Sequence, residues 1–317
     1  MLRYIAWRLA LLIPTLLAAS VVVFLVMRVL PGDVSQVIAG DVAVSPAVRE
    51  ALAEELGLND PLHVQYGQWL WSMVNGKFGG NSLESKESIR SIIGQQLPVT
   101  LLLTGYTLLL SILVSLPLGM LAARWSNRWP DYITRIVSLG GLSLPSLLVA
   151  VLVLLGLLLA FRWSPPILYA SPWADPWTHL QIMIWPALIL AWEQSSHLVR
   201  VTRASVLEAL DRSYVATARS KGLAERVVLV KHALPNALIP TVTMIGLHFG
   251  VLISGAVILE NIFGLPGIGR GIVHAAQVRD YPVVQSLAVL LVLFSLVVNL
   301  VVDIVYSRLD PRVGPSS

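Results

Sequence analysis

The chain has no cysteine and little charge. None of its 317 residues is Cys, and Asp, Glu, Lys and Arg together make up 13%. The first absence excludes disulfide frameworks, thiolate nucleophiles and Cys-ligated metal sites. The charged share is about half that of a typical soluble domain. In addition, 56% of the residues are hydrophobic and the mean hydropathy is +0.76. This composition predicts a membrane protein, because so much apolar surface could not be covered in water.

Sequence signatures of several enzyme classes are absent as well. A phosphate-binding P-loop requires GxxxxGK followed by Ser or Thr, but the single Gly-Lys pair, Gly76-Lys77, precedes Phe78 and has Trp71 where the first glycine should lie. The six histidines show no HExxH spacing, and there is no GxSxG elbow. The GxGxG at Gly267–Gly271 lacks the strand and βαβ unit of a dinucleotide site. We therefore predict no catalytic residue, metal site or cofactor in this chain.

Six apolar runs are long enough to cross a bilayer, whose hydrocarbon core requires roughly 20 helical residues. They predict an all-α membrane protein with transmembrane helices at Leu9–Met27, Leu97–Ala123, Ile136–Phe161, Ile182–Leu198, Ile239–Leu259 and Val283–Val305. Pro117, Pro145 and Pro186 lie inside these runs, where neighbouring helices can satisfy the carbonyl groups that a proline leaves free. The first run follows Arg3 and Arg8 and also fits a secretory signal, but its length favours an uncleaved anchor.

The basic residues predict the orientation. Fourteen of the 22 Lys and Arg lie at the two ends of the chain and in its second and fourth connections. They are Arg3, Arg8, Arg124, Arg128, Arg135, Arg200, Arg203, Arg212, Arg219, Lys221, Arg226, Lys231, Arg308 and Arg312. By the positive-inside rule, both termini and these connections are expected in the cytoplasm.

The predicted organisation has four parts. An N-terminal transmembrane helix (1–30) is followed by a long extracytoplasmic loop (31–96), a five-helix core (97–306) and a cytoplasmic tail (307–317). Two short amphipathic helices are predicted in the loop, at Pro46–Leu56 and Leu62–Val74. Carboxylates are rare in the spans, where only Glu193 and Asp303 lie within or at the edge of one. Either residue could serve helix packing or line a pathway, since an intramembrane charge often marks an ion path.

The cytoplasmic connection at residues 200–235 carries the most specific pattern. The fourth helix is expected to continue below the membrane, and a short helix, Tyr214–Lys221, is expected after an N-cap at Asp211 or Ser213. Gly222 can adopt the positive φ that ends such a helix.

A third helix, Glu225–Leu234, is predicted to end at Pro235. The short helix carries small side chains that let another molecule approach its backbone, and basic ones beside them: Ala216, Ala218, Ser220, Arg219 and Lys221. The pattern indicates either a projecting knob that contacts another protein or a basic loop that only sets topology.

The loop resembles a known motif. ATARSKG (Ala216–Gly222), then nine residues, then HALP (His232–Pro235) is similar to the pattern EAA, three residues, G, nine residues, I, any residue, LP in permease subunits of ATP-binding cassette importers. Ala216 replaces the Glu and His232 the Ile, as in the dipeptide, oligopeptide and nickel permease group. Further stretches resembling that group are LPGD (Leu30–Asp33), LGLNDPL (Leu56–Leu62), QY (Gln65–Tyr66), FGGNS (Phe78–Ser82), LPVT (Leu97–Thr100), LPS (Leu144–Ser146), GAVILENIFGLPGIGR (Gly255–Arg270) and RDYPVVQ (Arg279–Gln285). The resemblance covers nearly the whole chain.

The resemblance implies a type I importer permease fold in the inner membrane of a prokaryote. The chain would form half of a pathway for di- or oligopeptides, or for a related solute such as a nickel chelate. Its expected partners are a second permease subunit in a heterodimer, two cytoplasmic ATPase subunits and an extracytoplasmic substrate-binding protein, with ATP and Mg²⁺ bound by the ATPases. In such importers a short helix docks into a groove of the ATPase, and the matching residues here are Tyr214, Ala216, Thr217, Ala218, Arg219, Lys221 and Gly222.

Other interpretations differ in class. An ATPase-independent channel or ion-coupled carrier is disfavoured by the sparse intramembrane charge, and a membrane-embedded hydrolase by the missing catalytic constellation. The external segment Leu259–Pro282 is rich in Gly and Pro. It is either a structural turn between spans or, by resemblance, a segment that dips toward the pathway or meets the binding protein.

Overall fold

The computed structural model describes residues 2–29 and 60–309. These ranges are helical, with one isolated antiparallel bridge between Asn81 and Ser88, so the all-α class is confirmed. The helices are α1 Leu2–Val29, α2 Leu62–Val74, α3 Ile89–Arg124, α4 Trp129–Ser143, α5 Ser146–Phe161, α6 Pro176–Leu210, α7 Ser213–Ser220, α8 Glu225–Val227, a π-helical segment Val228–Ala233, α9 Leu234–Phe263, α10 Ile268–Gln277 and α11 Tyr281–Leu309. The predicted helix Pro46–Leu56 lies outside the described residues.

The chain divides into two compact units. The first contains residues 101–265 together with segments near both ends of the chain, and the second contains the described residues among 8–100 and 266–296. The α2 helix has the predicted bounds, Leu62–Val74. The α3 helix begins at Ile89, eight residues before the predicted span at Leu97, and the predicted loop boundary at residue 96 stays a prediction.

In the described ranges, four helical segments are long and apolar enough to cross a membrane: Arg8–Met27, Ile89–Arg124, Glu225–Phe263 and Tyr281–Val302. A fifth results if α4 and α5 together form one span. The predicted count of six is therefore not confirmed. The α6 helix contains the predicted fourth span but does not reach the same apolar character, because the polar run Glu193–His197 interrupts it.

The predicted third span, Ile136–Phe161, is not one continuous helix. The α4 and α5 helices meet at a bend of 104°. Leu144 between them is extended, with φ −94° and ψ 123°, as the steric clash with a following proline ring favours. Pro145 therefore separates two helices where we had expected it to be tolerated, whereas Pro117 and Pro186 do lie inside α3 and α6.

The α4 helix has polar side chains on its buried side. Asp131, Thr134 and Ser138 are buried, while its exposed side chains are large and apolar or aromatic: Trp129, Tyr132, Ile133, Ile136 and Leu139. This distribution is the reverse of a surface helix in a soluble protein. It fits a helix whose outer face meets lipid and whose polar groups find partners inside the protein.

The α6 helix is the central helix of the first unit and packs against α4, α5 and α9. Its polar residues Gln194, Ser195 and Ser196 are buried. The hydroxyls of both serines donate to the carbonyl oxygen of Trp192, at 3.0 and 2.7 Å. Burial within the protein explains how a helix with a polar middle can occupy this position.

Three neighbouring helices each place a glycine against α6. A Cβ atom on Gly119 of α3 would lie 2.7 Å from Thr202, and one on Gly255 of α9 would lie 2.8 Å from Leu190. A Cβ atom on Gly141 of α4 would overlap the hydroxyl of Ser196. Small residues at such contacts are the usual means by which membrane helices approach each other closely.

In the second unit, the later part of the external segment Leu259–Pro282 belongs to a packed core. Ile268 is fully buried in a cluster with Ile89 and Leu287, and its backbone N–H donates to the Thr100 hydroxyl at 2.9 Å. The Asp280 carboxylate, also buried, accepts hydrogen bonds from the hydroxyl of Ser82 and the N–H of Leu83 at 2.5 and 3.0 Å. This packing supports the structural interpretation of the segment, and its alternative remains a prediction.

Candidate functional site

The short helix α7 follows α6 after a two-residue turn and is shifted by one residue from its predicted position. Arg212 is its N-cap, with an extended backbone and no capping side-chain hydrogen bond. The predicted N-cap at Asp211 or Ser213 is therefore wrong. Gly222, two residues beyond the helix, has φ +73°, the left-handed conformation that was predicted for it.

One side of α7 is anchored to the rest of the first unit. Val215 is fully buried and Ala218 is nearly so. They form an apolar cluster with Val228, and Leu210 at the end of α6 packs against it. Since residues three apart lie on one face of a helix, this pair defines an inner face, and Ala218 directs its side chain away from solvent.

The opposite side of α7 is exposed. Six of the seven predicted docking residues are exposed: Tyr214, Ala216, Thr217, Arg219, Lys221 and Gly222. Ala216 and Thr217 lie on the side opposite the inner face, whereas Tyr214 and Arg219 flank that face, and the Tyr214 hydroxyl accepts a 2.8 Å hydrogen bond from the Asn236 side-chain amide. The structure thus exposes six predicted residues on and around α7 and assigns Ala218 to the anchor.

Polar side chains on α7 are largely engaged within the loop. Thr217 and Ser220 donate to backbone carbonyls one turn earlier, a pattern that short hydroxyl side chains favour in helices. Arg219 donates to both carboxylate oxygens of Glu225, at 2.7 and 3.2 Å. This hydrogen bonding raises the pKa of the Arg219 guanidinium above its ordinary value, so the side chain is a permanent cation.

Gly222 lies in open space. No atom lies within 4 Å of where a Cβ would be, so a small side chain there would meet no steric obstacle within the chain. The positive φ alone would be unfavourable, by roughly 1–2 kcal/mol for a residue with a Cβ. A larger effect of a small side chain at Gly222 would therefore indicate contact with a partner molecule.

The third helix of the loop does not end at Pro235. Helical structure continues from Glu225 to Phe263 through the π-helical segment Val228–Ala233. Pro235 is the second residue of α9, directly after the π-helical segment, so the continuous helical run contains the proline. The predicted stop at Pro235 is therefore wrong.

A buried ion cluster connects α6 to the start of α4. The Asp131 side chain is fully buried, and its two oxygens accept from Arg203 Nε at 2.7 Å and Nη2 at 2.8 Å. Arg135 donates to the same carboxylate from one turn further along α4, and the N–H of Asn127 donates at 2.9 Å. Arg203 also donates to the Ser126 hydroxyl at 3.2 Å.

Ionisable side chains in the polar middle of α6 form few contacts. The Ser146 side chain lies near the Glu193 carboxylate, which supports a packing role for Glu193. The rings of His197 and His248 lie 4.3 Å apart. No group of three or more His, Asp or Glu in residues 2–29 and 60–309 could hold a metal ion. The side chain of Asp303 lies outside the described residues.

Several contacts of the site were missed by sequence reasoning. Val215 could have been found, because it and Ala218 are spaced as one apolar face. Glu225, Asn236 and the Asp131 cluster had no local signal, since each partner is distant in sequence or lies on another helix.

Sequence comparison identifies the family. The profile described as "Binding-protein-dependent transport system inner membrane component" matches residues 115–315, and its N-terminal companion, "Binding-prot-dependent transport system membrane comp, N-term", matches residues 1–104. The chain belongs to this family. It is therefore a multi-pass inner-membrane permease component of a binding-protein-dependent, ATP-binding cassette import system, as the loop motif predicted.

Curated relatives of the permease match along their full length. The glutathione transport system permease protein GsiC of Escherichia coli (strain K12) is 37% identical over 313 residues, covering 99% of both chains. The proteins of the same name from Salmonella typhimurium (strain LT2) and Salmonella choleraesuis (strain SC-B67) are also 37% identical with 99% coverage. These relatives are transport subunits, and the permease is a transport component rather than an enzyme.

One solved structure similar to the permease is titled "Crystal structure of an amino acid ABC transporter with histidines". It matches with a TM-score of 0.49 and 18% identity, covering 70% of this chain and 94% of the solved chain.

Proposed function

We propose that the permease forms half of the translocation pathway of an ATP-driven importer for a small peptide-like solute. Family membership supports an importer, and the name of the 37% identical relatives, which specifies glutathione transport, supports a peptide-like solute. A nickel chelate is the alternative substrate within the same group. The six crossings required by the proposal are the four apolar spans, the broken pair α4 and α5, and the central helix α6.

The observation that carries the proposal is the two-sided character of α7. Its inner face is fixed by Val215 and Ala218, while its outer face presents Ala216 and Thr217, with the exposed Tyr214 at its edge. Small exposed side chains allow close approach of a partner's groove, and the exposed cation of Lys221 adds charge complementarity to an acidic rim. We assign this outer face to docking with a cytoplasmic ATPase subunit.

The docking helix is positioned to transmit movement. Because Leu210 at the end of α6 packs on the inner face of α7, a displacement of α7 by the closing ATPase pair would act on α6 directly. The α6 helix contacts α4, α5 and α9, so its displacement would act on these three helices. Alternating access would then result from rigid-body tilting of this permease against its partner permease.

The proposal includes the remaining partners and the orientation. Both termini and the α7 loop face the cytoplasm, in agreement with the distribution of Lys and Arg. A second, different permease subunit completes the pathway, and a binding protein delivers the solute from the other side. This chain binds no cofactor, and ATP with Mg²⁺ is bound by the two ATPase subunits.

Copurification tests the docking role. Affinity-tagged permease is extracted from its native membrane, and copurifying ATPase subunits are quantified by mass spectrometry and by ATP hydrolysis. We compare Ala216→Trp on the outer face of α7 with Ala174→Trp, an exposed alanine in the connection between α5 and α6. The ATPase should accompany the wild type and A174W and be lost from A216W. An undiminished ATPase yield with A216W would refute the docking surface.

Substrate class requires a separate experiment. Uptake of radiolabelled glutathione, dipeptides, oligopeptides and nickel chelates is measured in a strain that lacks its own importers for them and expresses the whole system. The proposal predicts ATP-dependent uptake of a peptide-like solute. Uptake of the nickel chelate alone would select the alternative.

A further inference from the structure

We propose that Asp131 and Arg203 form a rigid joint that passes movement of the docking helix α7 to the broken pair α4 and α5. Asp131 is thereby a positioning residue of the transport cycle, acting through Arg203. The inference rests on the proposed function, because it requires an ATPase that moves α7.

The α6 helix directly precedes α7 in the chain, and the Arg203 side of the joint lies on α6. Arg203 lies seven residues before the end of α6 at Leu210, which corresponds to about 10 Å along a helix. The helix is uninterrupted between these residues, and Leu210 packs against the inner face of α7. A displacement of α7 that carries Leu210 with it would therefore also move Arg203.

The chemistry of the joint resists sliding. Arg203 holds both oxygens of Asp131 through two different nitrogens, and a forked contact of this kind restricts angle as well as distance. The Asp131 side chain has no exposed surface, and removing one partner of a buried ion pair is strongly unfavourable. The α6 helix and the start of α4 are consequently coupled as one body.

The far end of α4 has the opposite property. Leu144 is extended and lies between two helices that are bent by 104°. Two backbone hydrogen bonds lie on either side of this break without crossing it: the Leu144 N–H donates to the Gly140 carbonyl, and the Val149 N–H donates to the Pro145 carbonyl. A change in the backbone dihedral angles of Leu144 would therefore break no continuous run of helical hydrogen bonds. A stiff joint at one end of α4 and a break at the other make α4 a lever that reorients relative to α5.

An ion pair that only stabilises the fold, here called a static staple, would use the same contacts. Substitutions in such a staple would have different consequences from substitutions in a joint. Arg203→Lys keeps the charge and loses the forked geometry. A staple would then lower stability and leave the ATP hydrolysed per solute unchanged. If the pair is a joint, the R203K substitution would let α4 slip against α6, so that more ATP would be hydrolysed for each solute imported. Arg135→Gln is the matched control, because Arg135 contacts the same carboxylate but lies on α4 itself.

The experiment uses the complete transporter in proteoliposomes with its binding protein. Copurified ATPase, thermal midpoint and ATP hydrolysed per solute imported are measured for wild type, R203K, R135Q and the compensating pair D131E/R203K. We expect R203K to retain the ATPase and raise the ratio by about fivefold or more, as a loss of 1 kcal/mol or more of coupling would. R135Q should stay within about twofold of the wild type, and D131E/R203K should recover part of the loss.

Two results separate the inference from the proposed function. If wild-type vesicles import solute with ATP while R203K has an unchanged ratio, the joint is refuted and the importer stands. If wild-type vesicles show no ATP-dependent import, the proposed function itself fails. Should R203K not assemble, Asp131→Glu keeps the charge and displaces the carboxylate from its forked contact with Arg203. A ratio unchanged in D131E would then overturn the joint, and a raised ratio would support it.

Discussion

Two ion pairs near the docking helix differ in exposure and therefore in what they can do. The side chains of Arg203 and Asp131 are 19% and 0% exposed, whereas those of Arg219 and Glu225 are 45% and 36% exposed. A buried pair is strongly unfavourable to break, while an exposed pair contributes little and can be exchanged for other partners. The region around α7 thus combines a fixed interior with an exchangeable surface, which suits an element that must bind a partner and transmit its movement.

The largest expected effect is at the buried pair. Asp131→Ala leaves Arg203 without its partner and should lower the free energy of unfolding by about 3–5 kcal/mol. Denaturant-induced unfolding of the purified transporter measures it, with Glu225→Ala as the exposed counterpart. Equal destabilisation by both substitutions would remove the distinction between the two pairs.

The inner face of α7 should show an intermediate effect. Val215→Ala removes two buried methyl groups and should lower the local free energy of unfolding by about 1–2 kcal/mol. Hydrogen exchange of residues 213–228 reports this directly. Thr217→Ala, on the outer face of the same helix, is the control. If exchange accelerates no more in V215A than in T217A, α7 is not anchored through Val215.

Gly222 should separate stability from function. Gly222→Asp encounters only the unfavourable positive φ, about 1–2 kcal/mol, so the protein should reach the membrane in normal amount. Solute uptake should nevertheless be abolished, because the altered surface can no longer seat the ATPase. Immunodetection in isolated membranes and an uptake assay measure the two quantities. Wild-type uptake by the Gly222→Asp variant at normal abundance would contradict the assignment of this surface to docking.

The exposed pair should show the smallest effect. Arg219→Gln should change the free energy of unfolding by no more than about 1 kcal/mol, and less at high salt. Thermal unfolding at two ionic strengths gives this value. A larger, salt-independent loss would mean that Arg219 and Glu225 are part of the fixed interior.

Prediction from sequence succeeded where the signal is local. The amphipathic helix Leu62–Val74 and the positive φ of Gly222 follow from neighbouring residues alone. Neighbouring residues did not predict which prolines interrupt a helix: Pro117 and Pro186 lie inside helices, whereas Pro145 separates two helices. Their immediate chemistry is the same, so the outcome depends on tertiary contacts, such as the close approach of Gly141 to Ser196 that fixes α4 against α6.

The candidate site shows the same division. Motif spacing located α7 and six exposed residues of its surface, but the partners of that surface lie elsewhere in the chain. Asp131 and Arg203 are 72 residues apart, and neither belongs to a motif. The spacing of Val215 and Ala218 within α7 indicates an apolar face, but the residues that pack against this face, Val228 and Leu210, lie outside the helix.

Flux measured in proteoliposomes tests the central claim most directly. The purified permease complex is reconstituted with its binding protein and a radiolabelled peptide-like solute, with ATP or a non-hydrolysable analogue on the side of the α7 loop. The importer predicts accumulation with ATP and none with the analogue or with A216W. Equal flux with and without ATP hydrolysis would instead show an ATPase-independent channel or carrier and contradict the assignment.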